Sequence, residues 1–236
     1  MKKSNIPQMR FGILIFPGGY GDLDLRDVLE HHFNKEVQTI WHKDAGPFDV
    51  DILLIPGGFP CRESRSGFER FRESPALNYL TDFAAQGKII IGFGNGFQFL
   101  CEAGLLPGKL NKNKSGKYIC KPVYIKPDND KGSLTQYLNN EKPYRIPIAS
   151  YNGNYEAADH ELIQMRQEHQ IIFRYCDYSG RITESINYTG SVDNIAGICN
   201  REKNVVGMIP QPERGFMGYS GSSDGKKILE SLMSIT

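Results

Sequence analysis

The first hundred residues alternate between short apolar runs and segments with apolar residues at helical spacing. Each apolar run ends in glycine-rich punctuation, as in strands of a parallel sheet buried on both faces. Between the runs, an acidic first turn, a Ser74-Pro75 start and a Gly87 stop mark helix ends. The pattern predicts strands at 11–16, 52–55 and 88–91 and helices at 25–33, 75–86 and 97–105.

The second half of the chain has a different pattern. Short apolar segments at 118–125, 145–149, 171–175, 194–199 and 205–209 are separated by Gly, Asn, Asp and Lys, with few helical stripes between them. A closing helix is predicted from about Asp224. These features predict a mixed or antiparallel extension of the same sheet. Because the sequence has neither an internal repeat nor a long linker, we expect one domain spanning residues 1–236.

Composition limits the classes of function. The chain has 28 Lys+Arg against 27 Asp+Glu, a formal net charge of +1, which argues against nucleic acid as the main partner. Its apolar runs fall far short of the roughly 20 residues that span a bilayer, so no membrane partner is expected. The five cysteines include no CxxC pair, which predicts neither a zinc ribbon nor a disulfide framework and favours the cytoplasm. Neither a metal site nor a cofactor is predicted.

The turn after the third strand, Gly92-Phe93-Gly94-Asn95-Gly96, carries the most specific chemistry. It has the glycines of a nucleophile elbow, G-x-[Ser/Cys]-x-G, in which a strained backbone lifts the nucleophile above the sheet. Here the central residue is Gly94, which has no nucleophilic atom. A glycine-rich turn that binds phosphate remains an alternative. A dinucleotide fingerprint fits less well because Phe97 occupies its third glycine position.

Ten segments together resemble the glutaminase subunits of phosphoribosylformylglycinamidine synthase, which are class I glutamine amidotransferases of purine biosynthesis. The resemblance runs from about residue 10 to 232. The segments are 16–18 (FPG), 41–44 (WHKD), 56–59 (PGGF), 95–98 (NGFQ), 102–108 (EAGLLPG), 119–121 (ICK), 145–149 (RIPIA), 173–177 (FRYCD), 194–200 (NIAGICN) and 210–214 (PQPER).

The resemblance implies a flavodoxin-like class I glutamine amidotransferase fold, with a central mixed sheet flanked by helices. In this family a Cys–His–Glu triad hydrolyses glutamine, and ammonia passes to a large ATP-dependent synthetase subunit. Carried over by position, the nucleophile falls on Gly94, the base on Gln211 and the acid on Glu213, so only the acid is retained. The predicted ligand-binding positions are Gly57, Gly58, Phe59, Asn95, Gln98, Tyr151 and Asn152. Tyr151 and Asn152 depart from the family, and they either recognise a new ligand or fill the cavity.

Two further family segments are rewritten beside these positions. The family's His-Gly-Glu-Gly is replaced by Ser150-Tyr151-Asn152-Gly153, and its Ser-Tyr-Gly-Asp by residues 60–63 (PCRE). The oxyanion donors of the family would lie around Gly58 and Asn95. Since the substitutions cluster where the glutamine chemistry would sit, the sequence predicts a partner of a synthetase subunit that has lost glutaminase activity.

Two other functions remain open on the sequence. One is an enzyme with altered chemistry in the same cleft, with Cys61, beside Arg62, as a substitute nucleophile. The other is a module that binds a small-molecule ligand. The remaining cysteines (Cys101, Cys120, Cys176 and Cys199) are predicted to be buried. His42 is predicted to anchor a loop, whereas His31, His32 and His160 are predicted to lie on the surface.

Overall fold

A computed structural model describes residues 9–16, 19–44, 46–58, 73–128, 134–216 and 222–233. Its strands are β1 (Phe11–Ile15), β2 (Val37–Trp41), β3 (Ile52–Ile55), β4 (Ile89–Phe93), β5 (Lys109–Asn111), β6 (Ile119–Pro127), β7 (Tyr144–Ser150), β8 (Asn154–Glu156), β9 (Ile171–Cys176), β10 (Ile195–Cys199) and β11 (Val205–Met208). Its α-helices are α1 (Gly21–Asp27), α2 (Pro75–Ala85), α3 (Asn95–Glu102), α4 (Asp159–Gln167) and α5 (Asp224–Met233).

Nine of the described strands form one mixed sheet in the order β2-β1-β3-β4-β11-β10-β9-β6-β7. From β2 to β11 the neighbours are parallel, and from β11 to β7 they are antiparallel. The predicted mixed sheet is therefore confirmed. Because β11 pairs with β4 in parallel register, the turn that follows β11 lies at the same sheet edge as the turn that follows β4.

Several elements differ from the sequence pattern, and β2 is one strand that the pattern did not predict. The helix α1 continues as a π-helical turn over Val28–His32. The strands β5 and β8 form a small antiparallel pair outside the main sheet, and the pattern did not predict either of them. The closing helix begins at Asp224, as predicted. Within the described ranges, every helix is too short or too polar to cross a membrane.

Helix α3 packs directly on the backbone of the sheet. A Cβ added at Gly96, in its first turn, would lie 2.0 Å from the carbonyl oxygen of Ile55 in β3. On the other side, a Cβ at Gly207 in β11 would lie 2.1 Å from the ring of Phe97. Only glycine permits contacts this close. The start of α3 is therefore held tightly between β3 and β11.

The prediction of buried cysteines is partly wrong. Cys101, Cys176 and Cys199 are buried as predicted, but Cys120 is exposed. The strand β6 pairs with β9 only from Tyr124 onward, so the part of β6 that contains Cys120 extends past β9. Among the described strands, that part is paired with β7 alone. Cys120 is consequently an accessible thiol.

Ser74 stands at the predicted start of α2, but its hydroxyl makes no capping bond to the helix. It donates instead to the backbone carbonyl of His42. The ring of His42 is buried and stacks on Phe16 with 5.0 Å between ring centroids. These contacts agree with the anchoring role predicted for His42. His31, His32 and His160 are exposed, as predicted.

Candidate active site

The turn between β4 and α3 has the backbone of a nucleophile elbow. Gly94 adopts φ 53° and ψ −112°, between the last residue of β4 and the first residue of α3. Its N–H donates to the carbonyl of Met208 at 2.8 Å, and its own carbonyl accepts from the N–H of Gln98 at 3.3 Å. These dihedrals are costly for any residue with a Cβ. The elbow is therefore kept, and glycine adopts it without strain.

The side chain of Gln211 lies directly against this elbow. A Cβ added at Gly94 would be 3.0 Å from Gln211 Nε2, and one added at Gly57 would be 2.6 Å from the same nitrogen. Gln211 is 1% exposed. Neither its amide nitrogen nor its amide oxygen has a hydrogen-bond partner among the described residues. The structure thus brings together Gly94 and Gln211, which lie 117 positions apart (211 − 94) in the sequence.

Glu213 lies two residues further along, in a short 3-10 helix over Pro212–Gly215. It is 3% exposed, and neither of its carboxyl oxygens has a partner among the residues the structure describes. Burial raises the pKa of Glu213 to about 8. The guanidinium of Arg214 is bonded to Asp24 at 2.9 Å. The carboxyl group of Glu213 is therefore protonated and uncharged at neutral pH.

The loop after β3 forms the other wall of the site. A Cβ on Gly94 would lie 3.5 Å from the Cα of Gly57. The carbonyl of Gly57 accepts from the N–H of Gly21 at 3.3 Å, which fixes the loop to the start of α1. Gly58 follows in this loop, and Asn95 opens α3 beside Gly94. Of the two loop glycines, Gly57 is the one that lies beside Gly94.

The rewritten segment after β7 closes one side of the site. Asn152 donates its amide to Gln98 Oε1 at 3.3 Å. Asn113 holds this segment in place: its N–H donates to the Tyr151 carbonyl at 2.9 Å, and its Oδ1 accepts from Gly153 N–H at 2.9 Å. Asn113 was missed by the sequence analysis, because a single asparagine in a lysine-rich loop gives no signal. Gln98 and Asn152 are thus already bonded to each other.

None of the four cysteines in the described ranges replaces a nucleophile at this elbow, because three are buried with raised pKa values and the fourth lies on β6. Burial raises the pKa of Cys101 above its usual range, that of Cys176 to about 12 and that of Cys199 to about 11. Cys120 is exposed on β6. Since the thiolate is the nucleophilic form, the three buried thiols are inert at neutral pH. Phe59 and Cys61, both named from the sequence, lie outside the described residues, as does Arg62.

Comparison with known proteins agrees with this architecture. Residues 8–231 match a family described as the CobB/CobQ-like glutamine amidotransferase domain. The phosphoribosylformylglycinamidine synthase subunit PurQ of Koribacter versatilis is 40% identical over 225 residues, covering 95% of this chain and 97% of the relative. The PurQ subunit of Aquifex aeolicus is 38% identical over 226 residues, covering 96% of this chain and all of that relative.

A solved structure described as PurLQS from Thermotoga maritima superposes with a TM-score of 0.81 and 31% sequence identity. It covers 96% of this chain and 98% of the matched chain. The predicted fold, a central mixed sheet flanked by helices as in class I glutamine amidotransferases, is confirmed. The chain belongs to the CobB/CobQ-like glutamine amidotransferase family, among relatives that include the PurQ subunits of phosphoribosylformylglycinamidine synthase.

Proposed function

We propose that this chain is a PurQ-type subunit of purine biosynthesis that does not hydrolyse glutamine and acts as a structural or regulatory partner of a large synthetase subunit. The observation that carries the proposal is the elbow itself. Its backbone keeps the geometry that presents a nucleophile, yet Gly94 has no side chain there and Gln211 faces it. The scaffold is kept and the reacting groups are replaced.

Each chemical step of covalent amide hydrolysis loses its group at this site. A thiolate at position 94 would attack the amide carbon, but glycine offers no atom for that bond. A neighbouring imidazole would take up and return the proton, but the Gln211 carboxamide does not bind a proton near neutral pH. The third group, Glu213, would stabilise an imidazolium as a carboxylate. It is protonated instead, because it is buried and neither of its oxygens has a partner among the described residues.

The proposed partner follows from the relatives. The curated relatives are subunits of a synthase, and the Thermotoga maritima structure is described as PurLQS. The TM-score of 0.81 over nearly the whole chain supports a fold that a large ATP-dependent synthetase subunit could bind in the same way. A subunit without turnover would then contribute contacts and conformational control to the complex. A small-molecule ligand in the rewritten segment, at Tyr151 and Asn152, would be the regulatory input.

A glutaminase assay with restored residues tests the loss of activity. We expect the wild-type protein to release no ammonia from glutamine above background, with or without the synthetase subunit. The variant Gly94→Cys/Gln211→His regains two of the three groups and keeps Glu213. Because removal of the catalytic triad of a serine protease costs about 10⁶-fold in turnover, even a poorly aligned triad should raise turnover here at least ~100-fold. Glutamate release measured by coupled oxidation gives the rates.

The two single variants are the matched controls. Gly94→Cys lacks the base and Gln211→His lacks the nucleophile, so both should stay within about 10-fold of background. Ammonia release by the wild-type protein would contradict the loss of glutaminase activity. If that release disappeared in Cys61→Ala, the altered-chemistry hypothesis would replace it. Co-purification of the wild-type chain with the synthetase subunit tests the partnership separately, and failure of the two proteins to associate would contradict it.

A further inference from the structure

We propose that a basic patch beside the candidate site docks an acidic surface of the synthetase subunit. The basic patch lies on the loop between β5 and β6 and on the residues next to it, and it consists of Lys112, Lys114, Lys117, Tyr118, Lys121 and Tyr188. The inference rests on the proposed function, because it takes the proposed partner as given. It goes further by assigning the surface that the partner contacts and the charge that the partner carries there.

Positive charge is concentrated in this region, although the formal net charge of the chain is only +1. Residues 103–127 contain no Asp or Glu, and they contain Lys109, Lys112, Lys114, Lys117, Lys121 and Lys126. Among the described residues, the one carboxylate paired with a lysine of the basic patch is that of Glu184, 3.4 Å from Lys114 Nζ. These two side chains are 89% and 71% exposed, so the pair is screened by water and neutralises little of the patch. A field of one sign steers and orients a partner of the opposite sign.

Exposed tyrosines accompany the lysines. Tyr118 is 60% exposed and Tyr188 is 42% exposed. Lys121 Nζ lies 3.4 Å from the centre of the Tyr188 ring, a cation–π contact that places the ammonium group over the ring. Tyrosine is enriched in protein–protein interfaces, where its ring supplies apolar contact area and its hydroxyl forms hydrogen bonds. The tyrosines with the lysines around them therefore fit a protein partner, with an apolar centre and a charged rim.

The loop that carries the basic patch is held from beneath by hydrogen bonds. Asn113 is 3% exposed, and its amide nitrogen donates to the carbonyl of Lys117 at 2.9 Å and to that of Ser150 at 2.8 Å. The next residue, Lys114, donates its backbone N–H to the carbonyl of Thr189 at 2.8 Å. A loop that is ordered before binding loses less conformational entropy when a partner binds. The lysines are therefore presented from a preordered backbone.

Strand pairing on both sides joins the basic patch to the candidate site. β5 pairs with β8, and β6 pairs with β7. The loop between β5 and β6 and the rewritten segment between β7 and β8 are thus the facing connections of the same four strands. Lys112 Nζ lies 5.7 Å from the centre of the Tyr151 ring, and Asn152 donates to Gln98 at 3.3 Å. A partner on the basic patch would therefore contact the same unit that closes one side of the site.

Charge reversal on the basic patch tests the docking surface. We compare the wild type with Lys112→Glu/Lys117→Glu/Lys121→Glu and measure association with the synthetase subunit by surface plasmon resonance at about 50 mM and about 500 mM salt. We expect the association rate constant of the triple variant to be at least ~10-fold lower at the lower salt concentration. The wild-type rate constant should fall steeply with salt, whereas that of the variant should not. The milder variant Lys112→Gln/Lys117→Gln/Lys121→Gln should lie between the two.

The matched control reverses three charges elsewhere on the surface. Arg201→Glu/Lys226→Glu/Lys227→Glu changes the net charge by the same amount, on the turn between β10 and β11 and on α5. All three of these residues are exposed. Since exposed charges interact little beyond a Debye length of about 8 Å at physiological salt, this variant should associate within about 3-fold of the wild-type rate at that salt concentration. Circular dichroism spectra and melting curves check that each variant is folded.

The outcomes separate this inference from the proposed function. If the triple variant of the basic patch associates with the synthetase subunit as fast as the wild type, the docking surface is overturned and the partnership stands. If none of the proteins associates with the synthetase subunit, both are overturned. A single-stranded oligonucleotide is the further probe. Its binding to the wild type but not to the triple variant, with equal association of both with the synthetase subunit, would assign the basic patch to nucleic acid and overturn the proposal.

Discussion

The wild-type protein is expected to lose stability as the pH rises from about 4.5 to about 8, and the variant Glu213→Gln is expected to lose much less. The pKa of Glu213 is raised from 4.5 to about 8 by burial. In the unfolded chain the same carboxyl ionises near its usual pKa, so unfolding releases a proton throughout this interval. Rising pH therefore favours the unfolded state. The contribution of Glu213 to the free energy of unfolding is complete below about pH 4.5. It falls progressively as the pH rises and is lost once the pH has passed about 8.

The size of this effect follows from the linkage relation. Each unit of pKa difference corresponds to about 1.4 kcal/mol, so the wild-type free energy of unfolding should fall by several kcal/mol, on the order of 4. In Glu213→Gln a neutral amide replaces the neutral acid and the slope should vanish. Urea unfolding at pH 5, 6, 7 and 8 gives both curves, and their difference removes the titration of all other groups.

A matched control is Glu184→Gln, because the side chain of Glu184 is 89% exposed and forms a surface pair with Lys114. Exposed pairs contribute about 1 kcal/mol or less, so this variant should keep the wild-type slope. Parallel curves for the wild type and Glu213→Gln would show that Glu213 is ionised in the folded protein. A cation at the site would then have to compensate for its burial.

Replacing Gly96 with alanine is expected to lower the free energy of unfolding by about 3 kcal/mol or more. The added Cβ would lie 2.0 Å from Ile55 O and 2.8 Å from Ile55 C, which are backbone atoms of a central strand and do not rotate away. Relief requires α3 to move off β3, and α3 begins at the elbow. The loss of stability should therefore be accompanied by a changed environment at Gly94, visible in amide spectra by NMR.

Gly116→Ala is the control for this substitution. A Cβ at Gly116 meets no atom within 4 Å, and the residue lies at φ +65° in an exposed turn. Gly116→Ala should lower the free energy of unfolding by about 1 kcal/mol, which is the cost of a Cβ in the left-handed backbone conformation. A Gly96→Ala protein as stable as Gly116→Ala would mean that α3 and β3 separate without penalty, which would contradict the pinned elbow.

The sequence was sufficient to locate the elbow and to single out Gly94 and Gln211. The apolar runs and glycine-rich turns placed β1, β3 and β4 correctly, and the order of short motifs indicated the family that the comparisons confirm. Gly94 was named from the glycine pattern of its turn, whereas Gln211 was named from the resemblance alone. Their contact across the site is a property of the parallel pairing of β4 with β11, and a linear pattern does not contain it.

What the sequence missed depends on packing between distant segments. The exposure of Cys120 follows from where β9 ends beside β6, and the role of Asn113 follows from a loop that bonds to residues nearly forty positions away. The pKa of Glu213 depends on how completely the chain surrounds it. The contact of Gln211 with Gly94 depends on the direction in which the Gln211 side chain points. None of these quantities is encoded in local periodicity.

The unstrained elbow has a consequence for how stability and activity trade against each other in this fold. Enzymes commonly hold a reactive residue in a costly backbone conformation and accept lower stability in return. Here Gly94 keeps the conformation and removes the cost. This chain therefore allows that cost to be measured. The difference in unfolding free energy between Gly94 and Gly94→Ala, both in a Gln211→Ala background so that no side-chain contact interferes, gives the cost of a Cβ in the elbow conformation.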